Sequence, residues 1–179
     1  MLSENQIRVM FDQQTIENRI REIGEEISRD YEGEELVLVC VLKGGVMFMT
    51  QLSKSISIPM KMDFIMLSSY GNQLTSTGKV KILQDISENL SGKHALIVED
   101  IVDTGRTLNF LKAHLLEKGA ESVEVCAMLD KPSRRVMPVE LRYRGFEIED
   151  EFVLGYGLDY AQWYRNLPYI AYVRQEEES

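Results

Sequence analysis

Basic residues are in short supply. Lys and Arg number 20 against 29 Asp and Glu in 179 residues, a net charge of −9. Non-specific nucleic-acid binding relies on Lys and Arg to neutralise phosphates, and docking on an anionic membrane surface draws on the same charges, so the composition argues against both partners. Cysteine is scarce too. Cys40 and Cys126 each sit inside an apolar run (Val39-Cys40-Val41 and Val125-Cys126-Ala127), which suits buried, reduced thiols better than a disulfide or a metal site. No apolar run approaches the roughly 20 residues needed to span a bilayer. The start, Met1-Leu2-Ser3-Glu4-Asn5-Gln6, has no basic region followed by an apolar stretch. The expected compartment is therefore the cytoplasm. Internal repeats, low-complexity stretches and interdomain linkers are missing as well, so residues 1–179 read as a single domain. The apolar share of 44% is ordinary and supplies a real core, which excludes a largely disordered chain.

The patterning alternates between strand and helix. Ile16, Ile20, Ile23 and Ile27 recur at helical spacing and predict an amphipathic helix over residues 12–30, with Asp12 as its N-cap. Seven consecutive apolar residues, Leu36 to Leu42, predict a strand buried on both faces, as in a parallel sheet. Lys43-Gly44-Gly45 breaks it, and a helix follows from Val46 to Ser55. Further strands are expected at 60–67, 80–83, 95–100 and 123–129, and a helix at 108–118 closed by Gly119. Residues 68–79 are polar and glycine-punctuated, a long loop of the kind that serves as a lid or binding loop. Beyond Pro132 the regular period fades, apart from a short apolar strand at Phe152-Val153-Leu154. His94 and His114 show no partner pattern, and the nine methionines read as packing or subunit interface. The whole is an α/β fold with a mostly parallel central sheet flanked by helices, whose ligands bind at the carboxyl ends of strands.

One such end carries the strongest chemical signal. The strand Ala95-Leu96-Ile97-Val98 delivers Glu99 and Asp100, and Asp103-Thr104-Gly105-Arg106-Thr107 then forms a small-residue turn that opens a helix. A helix N-terminus presents free N–H groups and partial positive charge to a phosphate, Gly105 permits close approach, and Thr104 and Thr107 add hydroxyl donors. Ionised carboxylates accept from paired hydroxyls such as those of ribose. The segment therefore reads as a ribose-5-phosphate cradle. It has neither the Walker pattern nor the dinucleotide fingerprint. Helix capping by Asp103 or Thr104 alone would leave Glu99 and Asp100, at the end of an apolar run, without a reason.

The stretch Val98-Glu99-Asp100-Ile101-Val102-Asp103-Thr104-Gly105-Arg106-Thr107 resembles the phosphoribosyl-pyrophosphate (PRPP) motif of the type I phosphoribosyltransferases. Leu42-Lys43-Gly44-Gly45 resembles that family's pyrophosphate loop, and Ser69-Tyr70 the start of its mobile loop. Asp130-Lys131-Pro132-Ser133-Arg134-Arg135, the run from Phe152 to Tyr160 and Trp163-Tyr164-Arg165-Asn166-Leu167-Pro168 resemble the hypoxanthine-guanine branch, and the match runs in order from about residue 7 to residue 173. The resemblance implies a core over about residues 30–150 and a small hood over the site, built from the N-terminal residues and about 135–173. It implies transfer of a phosphoribosyl group from PRPP, with Mg2+, to a 6-oxopurine, giving IMP or GMP and pyrophosphate. It also implies a homodimer or homotetramer.

The resemblance assigns roles as well. Asp103 would be the general base near purine N7. Glu99 and Asp100 would hold the ribose hydroxyls, directly or through the metal, and Asp159 would be a metal ligand. Asp103, Thr104, Gly105, Arg106 and Thr107 would hold the 5′-phosphate. Lys43, Gly44 and Arg165 would receive pyrophosphate, with a non-proline cis peptide at Leu42-Lys43. Lys131 would donate to the 6-oxo group, which favours it over a 6-amino group. Phe152 would stack on the base, the Val153 carbonyl would accept from it, and Ile101 would pack on its other face. Ser69 and Tyr70 would help exclude water. A nucleotide- and RNA-binding regulator on the same fold would need a basic face, and this acidic chain keeps an acid at Asp103.

Overall fold

A stripe of four isoleucines builds the first helix. Strand β1 (Ile7–Phe11) leads into α1 (Gln13–Asp30), where the Asp12 side chain accepts from the Thr15 N–H at 2.8 Å, and Ile16, Ile20, Ile23 and Ile27 are wholly buried. Burying each of these side chains contributes roughly 1.5–3 kcal/mol, which outweighs the modest helix propensity of isoleucine. The computed structural model describes residue 2, residues 6–69 and residues 80–174. Tyr70, most of the expected 68–79 loop and the tail from 175 lie outside the described residues.

Strand β2 (Leu36–Leu42) is followed by α2 (Val46–Ser55), β3 (Met60–Ser69), β4 (Val80–Gln84) and β5 (His94–Val102). Then come α3 (Arg106–Glu117), β6 (Ser122–Asp130), β7 (Tyr143–Glu147), β8 (Val153–Leu154) and β9 (Ile170–Val173). Among the described residues a six-stranded sheet runs in the order β4-β3-β2-β5-β6-β7, parallel throughout except for β4. Alternate residues face opposite layers, because side chains along a strand point up and down in turn. Leu36, Leu38, Cys40, Leu96 and Val98 pack with α1 and α2, whereas Val37, Val39, Val41, Ala95 and Ile97 pack with α3. Burial on both faces is what the continuous apolar runs demanded.

Chain order reverses between β2 and β5. From β2 the chain steps outward to β3 and β4, and from β5 it steps the other way to β6 and β7. The loops after β2 and β5 therefore leave in opposite directions and open a crevice at the carboxyl ends, the ligand position in open α/β sheets.

The fading period beyond Pro132 hides two strands. Tyr143–Glu147 joins the sheet edge beside β6, and Ile170–Val173 pairs antiparallel with both β1 and β8 in a separate three-stranded sheet. Strands of two to five residues are too short to show a clear period, and one partner of β9, strand β1, lies about 160 residues away. Each histidine has a partner away from the cleft. His94 Nδ1 lies 2.7 Å from Ser122 Oγ, and His114 Nε2 lies 3.0 Å from Asp85 Oδ1. Met49 and Met128 are core residues, while Met62 is half exposed.

Candidate active site

The parity that sorts the core also sorts the two acids at the end of β5. Glu99 lines a cleft of about 250 Å³ together with Ile101, Asp103, Thr104, Gly105 and Thr107. Asp100 is turned to the other side, against the loop that precedes α2. A Cβ added at Gly44 would collide with the Asp100 carboxylate, which would have to move to admit it. The adjacent acids thus straddle the crevice. Burial pushes Glu99 well above the usual carboxylate range, and its neighbour's charge adds to the effect. Burial raises Asp100 too, against the opposing pull of the Arg165 guanidinium.

The turn after β5 is an uncapped helix start. Gly105 is the N-cap of α3 with φ +83° and no side-chain hydrogen bond closes it, so neither Asp103 nor Thr104 serves as a cap. The backbone amides of Thr104, Gly105 and Thr107 have no partner among the described residues, while Arg106 N–H makes a long 3.4 Å contact to Thr104 Oγ1. Unpaired amides and a positive helix end make an anion receptor. Arg106 itself is exposed at the first position of α3.

On the β2 side the peptide Leu42-Lys43 is cis, as the resemblance implied, and Lys43 is exposed. The backbone at Gly157 presses on the Gly44 carbonyl so closely that a Cβ there would clash. This contact brings up the segment that carries Asp159 and Arg165. Arg165 donates to the Gly157 carbonyl at 2.6 Å and pairs with Asp159 at 2.8 Å, and Asp159 also accepts from the Gln162 N–H at 2.8 Å. Arg165 is thus tied to the Gly44 loop and acts electrostatically on Asp100.

Lys131, Phe152 and Val153, the residues the resemblance assigns to the base, lie in the segments after β6 and around β8. Lys131 Nζ donates to the Glu151 carbonyl and lies 3.7 Å from Asp150. Phe152 is half exposed and meets the Tyr160 ring edge-on, with centroids 5.7 Å apart. Val153 is buried in β8. Arg134 bridges these segments to the cleft, reaching Asp103 at 3.3 Å and Asp150 at 3.5 Å. Lys43, Arg165, Lys131, Phe152 and Val153 do not line the cleft itself. Ser69 is the last residue of β3. Arg134, Arg135 and Gly157 were given no role from sequence. Their signal was two adjacent arginines after a strand in an acidic chain, and a second glycine two residues after Gly155.

No cluster of three His, Cys, Asp or Glu able to hold a metal occurs among the described residues. No helix there is long and apolar enough to cross a membrane.

Residues 9–161 match a family described as the phosphoribosyl transferase domain. A hypoxanthine-guanine phosphoribosyltransferase of Streptococcus thermophilus is 42% identical over 176 residues, 98% of either chain. A hypoxanthine phosphoribosyltransferase of Salmonella typhimurium is 46% identical over 169 residues, covering 93% of this chain and 95% of that one. The crystal structure of a hypoxanthine phosphoribosyltransferase from Staphylococcus aureus superposes with a TM-score of 0.92 at 42% identity, over 98% of this chain and 96% of that one.

Proposed function

The chain belongs to the phosphoribosyl transferase family, and we propose from that premise that it transfers a 5-phosphoribosyl group from PRPP to hypoxanthine or guanine. The products are IMP or GMP and pyrophosphate, a purine salvage reaction. The observation that carries the reading is the uncapped turn at Thr104–Thr107, set beside the carboxylate pair Glu99 and Asp100 where chain order reverses between β2 and β5.

Each part has a task in the displacement. The bond from C1′ to the pyrophosphate oxygen breaks and the bond from C1′ to a purine nitrogen forms, with positive charge developing on the ribose ring and negative charge on the leaving group. The free amides at 104–107 hold the 5′-phosphate and fix the ribose, so that the reaction begins from an oriented pair. Glu99 and Asp100 hold its hydroxyls. Asp103, half exposed at the cleft mouth, accepts the proton near N7 and its charge favours the cationic ring. On the Gly44 side Arg165 and Lys43 receive the pyrophosphate. Lys131, already engaged by a carbonyl and Asp150, exchanges these for the purine 6-oxygen. Phe152 covers the base, Ile101 packs on its other face, and the Val153 carbonyl accepts from it.

The donor set fits Mg2+. Asp159, Glu99 and Asp100 offer only hard oxygen ligands, and they are spread out, as suits a cation that keeps waters and substrate phosphates in its shell. When bound, the ion would neutralise the phosphates of PRPP. The three-stranded sheet of β1, β8 and β9 would form the hood, Ser69 and Tyr70 would begin the closing loop, and the enzyme would work in the cytoplasm as a dimer or tetramer.

The test is pyrophosphate release with PRPP, Mg2+ and each base in turn. Turnover with hypoxanthine or guanine is expected, and none with adenine, uracil or orotate. Absence of turnover with both 6-oxopurines refutes the reading. Asp103→Asn should lower kcat by about 10²–10⁴-fold, the usual contribution of a positioned acid or base, while PRPP binding persists. A near-normal kcat in that variant removes Asp103 as the base.

A further inference from the structure

Three successive carbonyls of the 103–105 turn are held from outside it. Asp103 O accepts from Arg135 Nη1 at 2.8 Å, and Thr104 O accepts from the Val136 and Met137 N–H groups at 3.0 Å each. Gly105 O accepts from Asn109 Nδ2 at 2.9 Å, and the same amide donates to Pro138 O at 2.9 Å. At Gly105 the turn lies so close on the 135–138 segment that an added Cβ would collide with the Met137 carbonyl.

Peptide planarity gives these bonds a consequence. The carbonyl of one residue and the N–H of the next share a rigid plane and point in opposite directions. Holding Asp103 O and Thr104 O against the 135–138 segment therefore turns the Thr104 and Gly105 N–H groups the other way. Those are two of the unpaired amides of the anion receptor. Of the donors to these three carbonyls, only Arg135 carries a charge, and it makes a second anchor. Its Nη2 pairs with Asp130, a carboxylate only 5% exposed at the carboxyl end of β6. The other Asp130 oxygen accepts from Arg144 Nη1 of β7 at 3.1 Å. A buried carboxylate needs its partners, so Asp130 pins Arg135 to the sheet.

We propose that Arg135, anchored by Asp130, is a positioning residue that sets the Thr104 amide of the 103–105 turn for the 5′-phosphate, while the Val136 and Met137 N–H groups set that of Gly105. Arg135 does not line the cleft and acts through the backbone. The inference rests on the ribose-5-phosphate reading of this turn.

The experiment titrates ribose 5-phosphate into the full chain by calorimetry and records the thermal midpoint of each variant. Arg135→Ala should weaken binding about tenfold, the effect of losing one charge-assisted hydrogen bond. The KM for PRPP should rise in parallel, with the KM for the base unchanged. Arg135→Lys keeps a donor but not the two-ended fork and should recover part of the loss. It is also read in place of Arg135→Ala should that variant not fold. Arg144→Ala takes a partner from Asp130 without touching the turn, and should bind as the wild type does even if it melts earlier. Wild-type affinity in Arg135→Ala overturns the inference. An equal loss in Arg144→Ala also overturns it, since the Asp130 cluster would then only support the fold. A wild-type protein that binds neither ribose 5-phosphate nor PRPP overturns the phosphoribosyl reading and this inference with it.

Discussion

Gly44→Ala tests the geometry of the crevice with a single methyl group. The new Cβ would stand 2.5 Å from Asp100 Cγ, against an ordinary contact of about 3.4–4 Å. The overlap with Asp100 Oδ2 is deeper still, so relief requires more than about 1 Å of movement, and the glycine backbone is held too closely to supply it. Gly45 donates to the Val41 carbonyl at 3.1 Å, and its own Cα has backbone oxygens of Val41 and Val98 2.9 Å from where a Cβ would sit. From the far side Gly157 presses on the Gly44 carbonyl. Asp100 must therefore shift, which breaks its 2.7 Å bond from the Ile101 N–H and moves it relative to Glu99. Overpacking of this kind costs about 1–3 kcal/mol, or about 2–12 °C in Tm for a chain of this size. A displacement of about 1 Å in a positioning group costs about 10²-fold in rate, so kcat/KM for PRPP should fall by that order, and by more than the modest change in Tm would suggest. The assay is steady-state pyrophosphate release alongside thermal melting. A Gly44→Ala enzyme with wild-type kcat/KM would refute the reasoning that Asp100 and the β2 loop form one close-packed unit.

Other outcomes rest on separate features. Burial pushes the Cys40 thiol up to about 12 and Cys126 higher still, so neither should react with a thiol reagent at pH 8 until the chain unfolds; rapid labelling of the folded protein would contradict this. Asp30 accepts from the Tyr143 hydroxyl at 2.6 Å and from Arg142 at 3.0 Å, and these bonds hold its carboxyl below the usual range. A lowered folded pKa contributes stability above the unfolded value of about 4 and loses it as pH falls through the folded value. Asp30→Asn should therefore melt earlier than wild type at pH 7, with the gap narrowing below about pH 4; a gap that is constant with pH would exclude the linkage. Asp63, almost fully buried, accepts from the Ser87 and Glu88 N–H groups at 2.7 Å each. Asp63→Ala strands both donors and should cost about 2–4 kcal/mol by urea unfolding; a loss under 1 kcal/mol would contradict that account.

Some of this architecture was legible in one dimension. The isoleucine stripe of α1, its Asp12 cap and the two-faced burial of β2, β5 and β6 follow from spacing alone, because helical and strand periods are local. So does the delivery of Glu99 and Asp100 to a strand end ahead of a small-residue turn. The sequence could not say that the two acids would part to opposite sides of the crevice, because that depends on what packs against each face. Nor could it show that Gly44 lies against a side chain 56 positions away, or that Arg135 holds the carbonyl whose peptide carries the Thr104 amide, 31 positions earlier. The strands at 143–147 and 170–173 escaped notice for the same reason. Short segments acquire their conformation from partners, and partners are chosen only when the chain closes on itself. The residue types that would suit phosphate and ribose stand close together in the chain, whereas the directions of their groups come from close contact between segments distant in sequence.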